Sequence, residues 1–155
     1  MKLARVGVMT VAVICSHVVV GGAQAADSAA LQRARALFKR YVDLEHAYDV
    51  AVADLYSDDA VIKNKRIYPT GQVRELSMPA PKYKELIRQA MPLAKARGDR
   101  NTYSYCKYEG AKQDVRITCS RYSEPKKYSS PLTLVVGPRS GGEWVIVEEL
   151  SESQP

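Results

Sequence analysis

Apolar side chains recur at steps of three or four from Leu31 through Ala34, Phe38, Tyr41 and Leu44 to Tyr48. That is the period of a helix with one buried stripe. Asp49 restarts the chain, because an aspartate can accept the free N–H groups of a new helix, and Val50 to Tyr56 predicts a short second helix with Val52, Leu55 and Tyr56 on one side. After Ser57-Asp58-Asp59 the pattern changes from helical to extended at Ala60-Val61-Ile62. Val61 to Arg66 reads as a first strand, Tyr68-Pro69-Thr70-Gly71 as a turn, and Gln72 to Leu76 as a short partner strand. A third helix follows, with Pro79 and Pro81 at its start, Gly98 at its end, and a buried stripe of Tyr83, Leu86, Ile87, Ala90, Leu93 and Ala94. Pro92 lies inside it and is expected to bend or shorten the helix near Arg88 to Met91. Strands are expected at Asn101 to Glu109, Asp114 to Glu124, Leu132 to Val136 and Trp144 to Leu150, with Ser123 to Ser130 an exposed loop and Ser151 to Pro155 a disordered tail.

The wording RYVDLEHAYDVAVADLYSDDAVIKN, in the order long helix, short helix, acidic turn, strand, resembles the opening of the nuclear transport factor 2-like superfamily. The likeness is nearest to its ketosteroid isomerase and polyketide cyclase branch, and the carrying landmarks are Arg40-Tyr41, Asp49 and Leu55-Tyr56-Ser57-Asp58-Asp59-Ala60. The resemblance implies an α+β cone, with three helices in the N-terminal part packed in a strongly bent antiparallel sheet of about six strands, and a pocket inside.

The first 25 residues read as a signal peptide: Lys2 and Arg5 make a basic start, Val6 to Val20 an apolar run, and Ala23-Gln24-Ala25 a small-x-small cleavage signal. About 15 apolar residues, interrupted by His17, fall short of the roughly 20 that span a bilayer. A single exported domain over residues 26–150 is therefore expected, periplasmic or secreted and without stable membrane insertion after cleavage. The size suits one domain, since 155 residues with 46% hydrophobic content can bury a core. Cys15 leaves with the signal peptide, so Cys106 and Cys119 remain as a pair expected to close across a hairpin in an oxidising compartment. Pairing them also sets Tyr108 opposite Ile117 on one sheet face.

Charge adds little direction. Without Lys2 and Arg5 the chain keeps 21 basic residues against 17 acidic ones, grouped around Lys63 to Arg66, Lys82 to Arg100 and Arg121 to Lys127, which fits solvated faces better than a dedicated anionic partner. No nucleic-acid-binding signature is present. With His46 the only histidine after the signal peptide and the acids scattered, neither a metal nor a cofactor is implied.

Candidate chemistry follows from the resemblance. In the isomerase branch an aspartate takes a proton from carbon while a tyrosine and a protonated aspartate stabilise the oxyanion. The tyrosine maps onto Tyr41, and the base position, five residues after Asp58-Asp59, holds Asn64. An amide does not accept a proton at working pH, although it can hydrogen-bond a ligand. His46 and Glu148 are the remaining acid–base candidates: Glu148 alternates with Trp144 and Ile146 and either points into the cone or takes a solvent position at the strand end, and His46 is alternatively a surface residue near the end of the first helix. Ten tyrosines against one phenylalanine supply apolar bodies with polar tips, so Tyr41, Tyr56 and Tyr103, with Asn64 and His46, are the expected pocket residues, and Tyr105 and Tyr108 neighbour them. The reading is an exported, non-catalytic domain that binds a small apolar or amphipathic ligand, or an envelope protein. An isomerase, dehydratase or cyclase with a different acid or base, and a structural or inhibitory partner in an envelope or secretion assembly, are the alternatives. A homodimer is a further expectation of the resemblance.

Overall fold

The computed structural model describes residues 21–154 apart from Lys112; residues 1–20, which hold most of the expected signal peptide, lie outside the described residues. Helix α1 spans Gly21–His46 and buries Ala34, Phe38 and Tyr41 of the expected stripe together with Leu37, with Leu31 and Leu44 partly buried. Tyr48 is not on that stripe. It stands past the helix end at φ 57°, and the N–H groups of Tyr48 and Asp49 bond back to the carbonyls of Glu45 and Leu44. This is a left-handed helix terminus made without glycine. Asp49 then caps the next turn, its Oδ1 accepting from Ala51 N at 2.9 Å, and Val50–Leu55 forms a 3₁₀ helix.

Strand β1 (Tyr56–Ile67) and β2 (Val73–Pro79) make a hairpin, after which α2 (Ala80–Arg97) carries the chain across the sheet. Helix α2 begins at prolines and ends at Gly98 in the left-handed region, as expected. Pro92 does not shorten it. Its partly buried residues are Tyr83, Ile87, Met91 and Ala94, whereas Leu86, Ala90 and Leu93 of the expected stripe face solvent. The apolar set on this helix is wider than the stripe it can bury, and periodicity alone does not choose between its two halves.

β3 (Asn101–Ala111), β4 (Asp114–Ser123), β5 (Tyr128–Pro138) and β6 (Trp144–Ser153) complete a six-stranded sheet in the order β2-β1-β6-β5-β4-β3. Every neighbouring pair is antiparallel except β1 with β6, which is parallel. The sheet is curled and unclosed, with the helices on its inner face, and this is the expected α+β cone. β6 runs on through Ser153, so the expected tail is ordered strand over Ser151, Glu152 and Ser153. These three residues have β1 beside them, a partner that local pattern does not reveal.

The inner face is laid out in rows by the register. One row carries Met78, Ile62, Glu149, Leu134, Ile117 and Tyr108. The next carries Leu76, Asn64, Ser151, Leu132 and Cys119. Side chains of the first row pack under α1 and the 3₁₀ helix, and Leu134, Ile117 and Ile62 are all within the core.

Cys106 and Cys119 are bonded, and Tyr108 faces Ile117, as the pairing predicts. Between Ser104 and Lys107 the hairpin carries a bulge, so Tyr105 and Cys106 together oppose Cys119. The bonded cysteines are 13 residues apart. Reduction, or the Cys106→Ser/Cys119→Ser pair, is expected to cost about 2 to 3 kcal/mol. Thermal melts with and without reductant check this; superimposable melts would show that the ladder alone sets the hairpin.

Candidate functional site

Inside the cone two carboxylates are held by phenols. Glu149 is only 2% exposed, and it accepts hydrogen bonds from the hydroxyls of Tyr56 and Tyr83, the latter at 3.0 Å. The two rings meet edge to face with centroids 5.4 Å apart. Tyr56 is delivered by the start of β1, Tyr83 by the first turn of α2, and Glu149 by the middle of β6, so the cluster joins three elements far apart in sequence.

The second carboxylate, Glu45, lies in the last turn of α1. It accepts from Tyr103 Oη at 2.7 Å and from Asn101 Nδ2 at 2.5 Å, both on β3. Beside it His46 Nε2 donates to the Asn101 carbonyl at 2.8 Å, a choice of tautomer that this acceptor requires. His46 thus docks the end of α1 onto β3. Tyr41 sits between the two clusters, with Phe38 at 6.0 Å and Tyr103 at 6.1 Å between ring centroids.

All four phenols resist ionisation. Burial pushes Tyr41, Tyr56, Tyr83 and Tyr103 well above the ordinary tyrosine range. The nearby carboxylates add to it: Glu149 acts on Tyr41, Tyr56 and Tyr83, and Glu45 on Tyr41 and Tyr103. A phenol that donates to a carboxylate gives up its own proton with difficulty.

The expected pocket residues therefore divide. Tyr41, Tyr56 and Tyr103 come together under α1, and Tyr56 and Tyr103 bind the two acids. Asn64 lies one row nearer the open end, where its Nδ2 donates to Ser151 Oγ at 3.0 Å and its Oδ1 accepts from Ser153 Oγ at 2.9 Å. The Asn64 amide is thus engaged by two serines of the neighbouring strand. Tyr108 packs on Phe38 and lies under the Arg35 guanidinium at 4.1 Å, while Tyr105 is 88% exposed on the outer side of the bulge.

Glu148 does not point into the cone. It faces outward, 3.7 Å from Arg116, and the inward acid is Glu149. The reason is an irregularity between Val135 and Val136: Ile146 pairs with Val136, but Glu148 already pairs with Val135, and Val147 has no partner. One inserted residue exchanges the two faces.

Hollows are formed among the described residues, and three of them bear on the site. One of about 300 Å³ opens at the mouth of the cone between α2 and the ends of β3 and β4, with Glu45, Tyr48, Met91, Ala94, Asn101 and Ser123 in its wall. A larger one, about 490 Å³, lies along β2, β1, β6 and β5, with Lys63, Asn64, Lys65, Leu76, Leu150 and Ser151 in its wall. The third, about 380 Å³, adjoins Tyr105 and Lys107. Only the first touches the carboxylate clusters, through Glu45. Among the described residues no helix is long and apolar enough to cross a membrane.

A cone of this kind is the nuclear transport factor 2-like fold, and solved structures with it superpose on most of the chain. One from Pseudomonas putida, described as an NTF2-like protein of unknown function, matches with a TM-score of 0.63 at 15% identity, over 81% of this chain and 87% of its own. An NTF2-like protein with a cystatin-like fold from Novosphingobium aromaticivorans matches with a TM-score of 0.59 at 15% identity, over 84% and 85%. A candidate ketosteroid isomerase from Shewanella frigidimarina matches with a TM-score of 0.54 at 17% identity, over 77% and 94%. At these identities the likeness is one of fold. No protein-family model and no curated protein matches the sequence.

Proposed function

We propose that this protein is an exported binding domain that takes a small amphipathic molecule at the mouth of its cone and does not turn it over. The observation that carries the reading is the fate of its inward polar groups. Both oxygens of Glu149 and both of Glu45 accept from the protein's own side chains, and the base position of the isomerase resemblance is an amide tied to Ser151 and Ser153. Proton abstraction requires a free base within hydrogen-bond reach of the substrate. The mouth hollow, by contrast, sets the apolar Ala90, Met91 and Ala94 against a polar and charged wall that includes Glu45, Arg97, Asp99, Arg100 and Lys126, a lining that supports a molecule with two unlike ends.

Native mass spectrometry of the protein purified from its own envelope fraction tests this. An added mass that disappears on organic extraction is the expected result. A bare mass, together with turnover of an enone isomerisation or dehydration substrate that is lost in Glu149→Gln, would replace the binding reading with an enzymatic one.

A further inference from the structure

A third row crosses the inner face nearer the open end than Asn64. The register sets Arg74 opposite Arg66, Arg66 beside Ser153, Ser130 opposite Arg121, and Arg121 opposite Tyr103. Arg66 and Arg74 thus share a row with Ser153, while Arg121 stands between Ser130 and Tyr103, whose hydroxyl reaches the Glu45 carboxylate.

Arg66 and Arg74 are the unusual members. Like charges directly opposite one another on a sheet repel. Among the described ion pairs and side-chain hydrogen bonds neither arginine takes part, although Lys84, Arg88, Arg97, Arg116 and Arg139 are each matched to an acid. The Nε of Arg66 is also buried with no acceptor. A buried donor without a partner is costly, and Arg74 opposite it is exposed and brings no counter-charge. Arg121 differs, because its Nη2 donates to the Glu152 carbonyl at 2.8 Å.

From this geometry we infer that Arg66 and Arg74 form an oxyanion-binding shelf, so that the ligand carries a carboxylate or phosphate head. The fork of a guanidinium matches either group with two parallel bonds. Next to the pair on the same face Leu76 is partly exposed, an apolar surface on which the chain of such a ligand can begin. The inference rests on the binding reading above and narrows it to anionic amphiphiles.

Fluorescence titration with a dansyl-labelled undecanoic acid, its methyl ester and a dansyl-labelled alkyl phosphate tests the shelf. Acid or phosphate is expected to bind at least about tenfold more tightly than the ester. In Arg66→Gln/Arg74→Gln that preference is expected to fall to within about twofold while ester affinity is unchanged, since the variant retains the apolar wall. Comparing acid with alkyl phosphate identifies the head group, and displacement by inorganic phosphate as strong as that by alkyl phosphate would mean that the head alone is bound. The melting temperature of the unliganded double variant is expected to hold or rise, because repulsion is relieved; a fall would point to a purely structural pair. Equal affinity for acid and ester, a preference that survives the double substitution, or no binding of any probe overturns the shelf. The copurified mass tests the binding reading separately, so the two can fail independently.

Discussion

Glu149→Ala is expected to cost the protein about 3 to 5 kcal/mol, the largest loss from any single side chain of the inner face. Two buried phenols, Tyr56 and Tyr83, would lose their acceptor at once. Each orphaned hydroxyl is worth about 1 to 3 kcal/mol, and the vacated volume adds a packing loss. The cost also crosses elements, since β1, α2 and β6 meet at this carboxylate. Glu149→Gln keeps one acceptor oxygen and should lie between wild type and alanine. Tyr56→Phe, which removes one donor and leaves the acid with the other, is expected to cost about 1 kcal/mol. Denaturant melts of the three variants check the order, and an alanine variant within 1 kcal/mol of wild type would show that the phenols have other partners.

The second large effect is expected in alkali. In the unfolded chain all tyrosines ionise near pH 10. In the native state Tyr41, Tyr56, Tyr83 and Tyr103 hold their protons far beyond that, chiefly because of burial. A raised native pKa means that the stabilisation is complete below pH 10 and is lost as the pH climbs above it, because unfolding then releases protons that the native state retains. Each such tyrosine removes about 1.4 kcal/mol per pH unit, so the four together remove about 5.6. A domain of ordinary stability should therefore unfold within about one to three units above pH 10. Tyrosinate absorbance from the buried four is expected to rise in one step, together with loss of near-ultraviolet circular dichroism. A single smooth titration with the fold intact would contradict the buried placement of these phenols.

Much of this architecture was legible because it is local. The α1 stripe, the Asp49 restart, the prolines and Gly98 that bound α2, and the cysteine hairpin each depend on neighbours within a few residues. Tyr41, Tyr56 and Tyr103 were legible as inward-facing because aromatic residues on apolar faces go inside, and they sit in or against the core and line none of the three hollows described above. Glu149 was missed for a specific reason. Strict alternation along β6 selects Glu148, and only the extra residue at Val147, visible once β5 is laid beside it, hands the inward position to the next acid. The pattern on α2 failed differently: Leu86 and Ile87 are both apolar, and the phase that buries Tyr83, Ile87 and Met91 is set by the Tyr83 hydrogen bond to Glu149 across the fold. The arginine shelf was equally out of reach, since Arg66 and Arg74 meet only through the pairing of separate strands.

The single parallel pair in the sheet has a bearing on how the molecule comes together. Asn64 and Ser151, neighbours across β1 and β6, are 87 residues apart in the chain. The β1–β2 hairpin joins neighbours in sequence, whereas the other edge of β1 is filled by β6. Closing so long a loop is slow compared with forming a hairpin. The β1–β6 seam is therefore expected to close after the hairpins, and β6, by filling it, acts as the latch that commits the cone to its finished form.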